Sequence, residues 1–394
     1  MKNNKELFNE YVAQTKNSIF NLDVEKAEGI YIYDTSGKKY IDMISGISVN
    51  NLGHNHPNII KAIKSQADKY LHTMVYGEFM QTPQINLAKL LSDNLPKNLS
   101  VSFFVNSGSE AIDGAIKLAK KYNGKSEIIA CKNSYHGSTL GATSLNDNKY
   151  NIDFRPLIPD IKFIEFNNFN DIEKITGKTS CLIIEPIQAA AGIIIPKKNY
   201  LSKLKQKCIE TGTLLVFDEI QTAGGRTGKL FAFEHFDVKP DILVLAKSIG
   251  GGMPLGIFIS SEKIMDSLND KHPLLGHATT FGGHPVSCAA SFAMLQTLLN
   301  ENILDTIEEK RKTIFENLIH PKIKEIRGIG LFIAIEFNNK KTSKNIIKNG
   351  LKNGIILNSF LFNDTSIFIA PPLTIKNEEL ETACELIKEI INKV

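Results

Sequence analysis

The sequence predicts an α/β protein with a mostly parallel central sheet flanked by helices and a smaller α+β part. Seven continuous apolar runs of strand length carry this expectation, at 101–105, 127–130, 162–166, 181–185, 214–218, 242–246 and 256–260. Uninterrupted apolar runs belong to strands covered on both faces, which is the habit of parallel sheets. The second observation is the helical spacing between runs: residues 109–122 place Ala111, Ile112, Ala115, Leu118 and Ala119 on one stripe, and 199–211 do so with Leu201, Leu204 and Cys208. Alternation of the two patterns is the mark of α/β architecture. The third is length, since 394 residues suffice for two or three domains.

The elements are read in order. Residues 29–42 form a hairpin pattern, with Tyr31-Ile32-Tyr33-Asp34 and Lys39-Tyr40-Ile41-Asp42 bracketing Ser36-Gly37. The seven apolar runs and their helices follow. From about Pro285 the chain becomes helix-rich, returns to strands at 331–337 and 366–370, and ends in an amphipathic helix over 377–392. We therefore expect an N-terminal segment (1–50) that joins the smaller domain, a large domain (51–285) and a C-terminal small domain (286–394).

Composition narrows the function. The net charge is only +4, and Lys is spread along the chain, so no basic face for nucleic acid is expected. No apolar run reaches the roughly 18 residues of a membrane span, and the first residues lack an apolar signal core; a cytoplasmic location is expected. The five cysteines are odd in number and form no CxxC pair, which fits reduced thiols and no zinc site. Of 46 basic residues only Arg155, Arg226, Arg311 and Arg327 are arginine, which marks places where a rigid bidentate fork is needed.

Three local patterns carry chemistry. The run 214–218 ends in Asp218-Glu219, and the C-terminal end of a parallel strand is where α/β proteins place ligands. The run 242–246 ends at Lys247, followed by Gly250-Gly251-Gly252. An ammonium at an apolar strand end is costly unless paired or deprotonated, and a desolvated lysine is what Schiff-base chemistry requires. The third pattern is Phe103-Phe104-Val105-Asn106-Ser107-Gly108-Ser109-Glu110-Ala111, a strand entering a helix through a Ser/Gly turn. Free N–H groups and the helix dipole make such a turn a phosphate site. Alone, each has an ordinary reading as a capping aspartate, a surface lysine or an N-cap. Together they supply a phosphate cradle, a carboxylate and an amine, the three groups that pyridoxal 5'-phosphate needs.

With these residues in view, the chain resembles the class III (ω-type) aminotransferases of PLP fold type I, nearest to the acetylornithine type. The motifs that carry the resemblance are Gly53-His54-Asn55-His56-Pro57, Asn106-Ser107-Gly108-Ser109-Glu110-Ala111, Tyr135-His136-Gly137, Glu185-Pro186-Ile187-Gln188, Asp218-Glu219-Ile220-Gln221-Thr222, Gly225-Arg226-Thr227-Gly228, Ala246-Lys247 and Thr280-Phe281-Gly282-Gly283. The resemblance implies Lys247 as the Schiff-base lysine and Asp218 as partner of the pyridine nitrogen. It implies Ser107, Gly108 and Ser109 at the phosphate, Tyr135 on the ring face, His136 beside the cofactor and Gln221 near the ring 3-oxygen. Glu185, Ser138 and Thr279 are expected at the substrate. Thr280 is expected to reach the cofactor of the partner subunit in a homodimer. His54 and His56 are expected to make structural hydrogen bonds.

Three departures from the family pattern fall at substrate-carboxylate positions. Ser138 stands where relatives have an arginine after Tyr-His-Gly. Phe368 stands three residues before Pro371, where the family has an arginine for the α-carboxylate. Ala189-Ala190 replaces Gly-Glu. Ala190 and Phe368 form a matched loss, because a buried glutamate without that arginine would lack a partner. The resemblance implies transfer of an ω-amino group from an N-acetylornithine-like donor to a 2-oxo acid such as 2-oxoglutarate. The departures keep open a 4-aminobutyrate, diamine or β-amino acid transaminase.

Overall fold

The computed structural model describes residues 2–15, 20–75, 77–147, 149–269 and 277–394. Fifteen strands lie among them. β1 (Val24–Glu28), β2 (Tyr31–Asp34) and β3 (Lys39–Asp42) form an antiparallel meander. The predicted hairpin is β2–β3: Gly37 sits at φ 81° in its turn, and Asp34 Oδ1 accepts from the N–H of Ser36 and Lys38 at 2.9 and 3.0 Å.

The central sheet has seven strands: β4 (Val101–Val105), β5 (Glu127–Cys131), β6 (Ile161–Ile164), β7 (Thr179–Ile184), β8 (Leu214–Asp218), β9 (Ile242–Leu245) and β10 (Gly256–Ser260). Their spatial order is β4-β10-β9-β8-β7-β5-β6. The neighbours from β9 through β6 are parallel, whereas β10 runs antiparallel to both β9 and β4. Two reversals across β10 leave β4 pointing the same way as the parallel strands. All seven predicted runs are strands of this one sheet, with β6 ending two residues before the expected 166.

Helices cover the sheet as the apolar stripes require. The helix Gly108–Asn123 buries Ala111, Ile112, Ala115, Leu118 and Ala119, its N-cap Ser107 Oγ accepts from Glu110 N–H, and Gly124 ends it in the left-handed region. Gly114 lets it approach β10, since a Cβ there would overlap the ring of Phe258. The helix Tyr200–Thr211 ends similarly at Gly212.

The last third of the chain adds β11 (Ile323–Ile329), β12 (Phe332–Phe337), β13 (Ile355–Ile356), β14 (Asn358–Ser359) and β15 (Ser366–Ile369). Strands β11, β12, β15 and β14 form an antiparallel sheet, while β13 joins β3 in parallel and completes the N-terminal sheet. β11 escapes the sequence reading because Lys324, Glu325 and Arg327 break its apolar run; its residues are mostly only partly buried or exposed. The helix Pro285–Asn300 packs on the helices Pro57–Ala67 and Thr82–Asp93. Among the described residues all five cysteines are free and buried, no acidic or His/Cys cluster has metal-site geometry, and no helix is long and apolar enough to cross a membrane.

Candidate active site

Five parallel strands deliver the candidate residues to one edge of the sheet. Ser107 and Gly108 follow β4, Tyr135 and His136 follow β5, Glu185 follows β7, Asp218 ends β8 and Lys247 follows β9. Because these strands share a direction, their C-terminal ends converge on one crevice, the expected ligand position of an open α/β sheet. The crevice has a volume of about 720 Å³, and its wall includes Ser107, Gly108, Ser109, Tyr135, His136, Glu185, Asp218, Gln221 and Lys247.

The turn before the helix Gly108–Asn123 is tightly made. Ser138 N–H donates to Ser109 Oγ at 3.0 Å, and the Ser138 and Tyr135 hydroxyls bond at 2.9 Å. Ser138 is thus a buttress between the turn and Tyr135, outside the crevice wall. Gly137 sits at φ 135°, and a Cβ there would collide with Ser109 Oγ. A Cβ on Gly108 would meet Ile220 Cδ1 at 2.7 Å. The N-terminus of a sixteen-residue helix with this much bare backbone fits an anion such as a phosphate monoester. Gly137→Ala is expected to push Ser109 aside and weaken phosphate-ester cofactor binding about tenfold or more, read as faster cofactor loss on dialysis.

Asp218 is almost fully buried. Its Oδ1 accepts from Ile220 N–H at 3.0 Å, and its Oδ2 meets His136 Nδ1 at 2.6 Å. Burial pulls the His136 imidazole towards neutrality, but the bond to Asp218 and that carboxylate's charge outweigh it, so the pKa is raised. His136 therefore orients Asp218. Lys247 sits at φ 46° as the chain leaves β9. It keeps some surface open to the crevice, yet desolvation of its ammonium lowers its pKa, with Asp218 and Glu185 opposing that shift. Glu185 Oε2 accepts from Ala189 N–H at 2.9 Å, while its Oε1 is buried without a hydrogen-bond partner, as is His136 Nε2. Burial pushes the Glu185 carboxyl up to about 7. A desolvated amine, an oriented carboxylate and two orphaned polar atoms around one crevice fit a polar, ring-sized cofactor with a phosphate.

Other conspicuous residues hold the frame. Glu219 is fully buried and accepts from Ala232 N–H (2.6 Å), Phe233 N–H (2.7 Å) and Thr222 Oγ1 (3.1 Å); burial raises its pKa to about 7. Between pH 4.5 and 7 the folded chain keeps protons on Glu185 and Glu219 that the unfolded chain has released. Stability from these groups therefore falls as pH rises through that window and levels off above it. Glu219→Gln is expected to flatten part of that fall, measured as Tm across that window and above it. Arg226 is entirely buried. Its guanidinium donates to Leu331 O (3.2 Å), Pro371 O (2.5 Å), Ser45 Oγ (3.4 Å) and Asn51 Oδ1, with burial pulling its pKa down to about 9. It is one of the four arginines, and its fork serves four oxygens that a lysine point charge could not match. His54 Nε2 bonds Asp42 Oδ2 at 2.9 Å, a structural role.

The structure does not bring Thr279 or Thr280 into the crevice of their own chain. Thr279 Oγ1 accepts from Asn106 Nδ2 at 2.6 Å and lines a second cavity, of about 620 Å³, beside Phe103 and Phe104. Thr280 O accepts from His72 Nε2 at 2.9 Å. Conversely, Ile47, Val49, Phe360 and Leu361 line the crevice and carry no signal in the sequence. They arrive from segments remote along the chain. Ala190 and Phe368 also line it.

Residues 11–391 match the model of the family Aminotransferase class-III. The chain belongs to this family. The aminotransferase is 39% identical over 384 residues to an acetylornithine aminotransferase of Methanocaldococcus jannaschii, covering 94% of this chain and 93% of that protein. It is 37% identical over 382 residues to a putrescine aminotransferase of Pectobacterium atrosepticum, covering 92% and 81%. Its fold matches the ornithine aminotransferase of Toxoplasma gondii with a TM-score of 0.90 at 28% identity, over 100% of this aminotransferase and 96% of that chain; that structure holds PLP at partial occupancy in its active site. The family assignment makes the chain a transaminase of fold type I.

Proposed function

We propose that this transaminase, with pyridoxal 5'-phosphate as cofactor, takes the amino group of a terminal primary amine and delivers it to a 2-oxo acid. The observation that carries the reading is the convergence of Lys247, Asp218 and the Ser107-Gly108-Ser109 turn on one crevice. When bound, the cofactor supplies a carbonyl that exchanges amino groups and a ring that accepts electrons. Ser107, Gly108 and Ser109 would hold its phosphate, Tyr135 its ring face and Gln221 the 3-oxygen side. Asp218, oriented by His136, would keep the ring nitrogen protonated. Lys247 would hold the cofactor and, once displaced, carry a proton between the substrate carbon and the cofactor; its desolvation makes the free amine available below the usual lysine range. Thr280 would serve the cofactor of the partner in a homodimer, which accords with its absence from its own crevice. We place the enzyme in the cytoplasm.

The donor reading follows from the crevice wall. Among the described residues it holds no arginine, and Lys247, its one lysine, is committed to the cofactor, so a donor carboxylate meets no guanidinium fork from this chain. This favours an ω-transaminase with altered carboxylate recognition. The identity to acetylornithine aminotransferases favours an N-acetylornithine donor as the second reading. The test is a half-reaction: PLP-loaded protein receives N-acetylornithine, ornithine, 4-aminobutyrate, a diamine or glutamate, one at a time and without acceptor. Loss of the visible cofactor absorbance marks a donor. Bleaching by both N-acetylornithine and glutamate would support the second reading, and failure to load PLP would refute both.

A further inference from the structure

We infer that the donor's far end rests against an apolar wall formed by Ile47, Phe360 and Phe368, so that the site selects amines with an uncharged, hydrocarbon-like far end over amines that end in a carboxylate. The inference deepens the transaminase reading above and rests on it.

Phe368 is 2% exposed and is braced by two edge-on ring contacts, to Phe332 at 5.7 Å and to Phe360 at 5.4 Å. Phe362 N–H donates to Ala190 O at 3.0 Å, which ties the Phe360 segment to Ala190. Ile47, Phe360, Phe368 and Ala190 all line the crevice, and Ile47 and Phe360 pack on the cluster that contains Phe368. The carboxyls of the crevice wall, Glu185 and Asp218, offer an anionic donor no countercharge. An unpaired carboxylate pressed against such a wall loses its hydration and gains no partner in return.

Ile47 itself is the second observation. Four consecutive residues occupy the left-handed region: Ser45 at φ 49°, Gly46 at 61°, Ile47 at 64° and Ser48 at 60°. A β-branched residue is among the poorest choices there, and glycine would adopt the same backbone without strain. The turn is over-determined from outside. Asp42 Oδ1 accepts from Ile44 and Ser45 N–H at 2.9 Å each, Ser45 Oγ donates to Ala370 O at 2.8 Å, and Arg226 reaches Ser45 Oγ. A strained conformation held this firmly at a cleft points to use of the side chain it presents. That side chain is a branched hydrocarbon on the crevice wall.

The test compares pairs that differ only in the far end. PLP-loaded protein is mixed with hexylamine, 6-aminohexanoate or 1,5-diaminopentane, and the rate of cofactor bleaching is followed over concentration. Hexylamine is expected to exceed 6-aminohexanoate in kcat/KM by about tenfold or more. Ile47→Gly suits the backbone and retains the fold; it is expected to raise KM for hexylamine about tenfold, more than for 6-aminohexanoate, so that the preference between the two donors shrinks. A calorimetric titration with 1-hexanol and hexanoate reads the wall without chemistry, and the alcohol is expected to bind more tightly. Equal or reversed order of hexylamine and 6-aminohexanoate overturns the inference. So does an equal loss for both donors in Ile47→Gly, or a diamine that outruns hexylamine, which would assign Glu185 to a second ammonium. If no amine bleaches the cofactor while hexanol still binds ahead of hexanoate, the transaminase reading fails and the apolar wall stands.

Discussion

Lys247→Ala is expected to lower amino transfer by about 10⁴-fold or more, at or beyond the top of the range for a single proton-transfer group, because one side chain both anchors the cofactor and moves the proton. The structure makes this loss separable from misfolding. Lys247 carries a desolvated ammonium whose pKa is already pulled down by burial. Its removal relieves that cost, so Tm is expected to stay level or rise. Lys247→Arg keeps a cation near Asp218 and Glu185, but a guanidinium does not release its proton in the working range. It is expected to be as inactive as the alanine variant. Small exogenous amines are expected to restore part of the Lys247→Ala rate, in proportion to their basicity, which a merely structural lysine would not allow. In the unmodified enzyme the rate should climb as pH rises towards the lowered pKa of Lys247, reaching its plateau below the range of an exposed lysine. Measurement is by stopped-flow bleaching with a reactive amine. Retention of more than about a hundredth of the rate in Lys247→Ala would remove Lys247 from the proposed role.

Asp218, Lys247 and the 107–109 turn were legible because their chemistry is written beside the element that positions them. Each lies at the end of a continuous apolar run, and such runs become parallel strands with a common edge. Direction was not legible. The run of β10 is as apolar as that of β9, yet it lies antiparallel to both neighbours, since an apolar run does not encode its polarity. The crevice wall was only half legible. Ala190 and Phe368 stood out as paired departures from the family pattern, and the structure sets both on the same wall. Ile47 and Phe360 carried no local signal. Ile47 depends on a left-handed turn pinned by Arg226, Asp42 and Ala370, and Phe360 depends on the return of the chain through β14. Arg226 looked like a place for a fork, and its partners proved to be framework oxygens of segments far apart in sequence.

Phe368→Arg combined with Ala190→Glu is expected to convert the donor preference. Phe368 pairs with Ala334 and Asn358 across its strand and is buried among Phe332 and Phe360. Phe368→Arg alone therefore buries a guanidinium with no partner on an apolar wall, an arrangement that costs about 3–5 kcal/mol, and Tm is expected to fall. Ala190 lines the same crevice, and a carboxylate introduced there is the expected partner for the guanidinium. Adding Ala190→Glu is expected to recover part of the lost stability, so the two changes should be non-additive by roughly 0.5–3 kcal/mol. A substrate carboxylate that displaces the introduced glutamate side chain gains a charge-assisted, bidentate contact worth about 1.5–3 kcal/mol. Turnover of glutamate and 4-aminobutyrate should then rise about 10- to 100-fold in kcat/KM, while hexylamine loses its apolar wall and falls. The measurements are Tm for the four members of the cycle and bleaching rates for the three donors. Unchanged glutamate turnover with restored Tm would mean that a carboxylate is held away from the wall of Ala190 and Phe368, and the acetylornithine reading would regain the ground that the wall now takes from it.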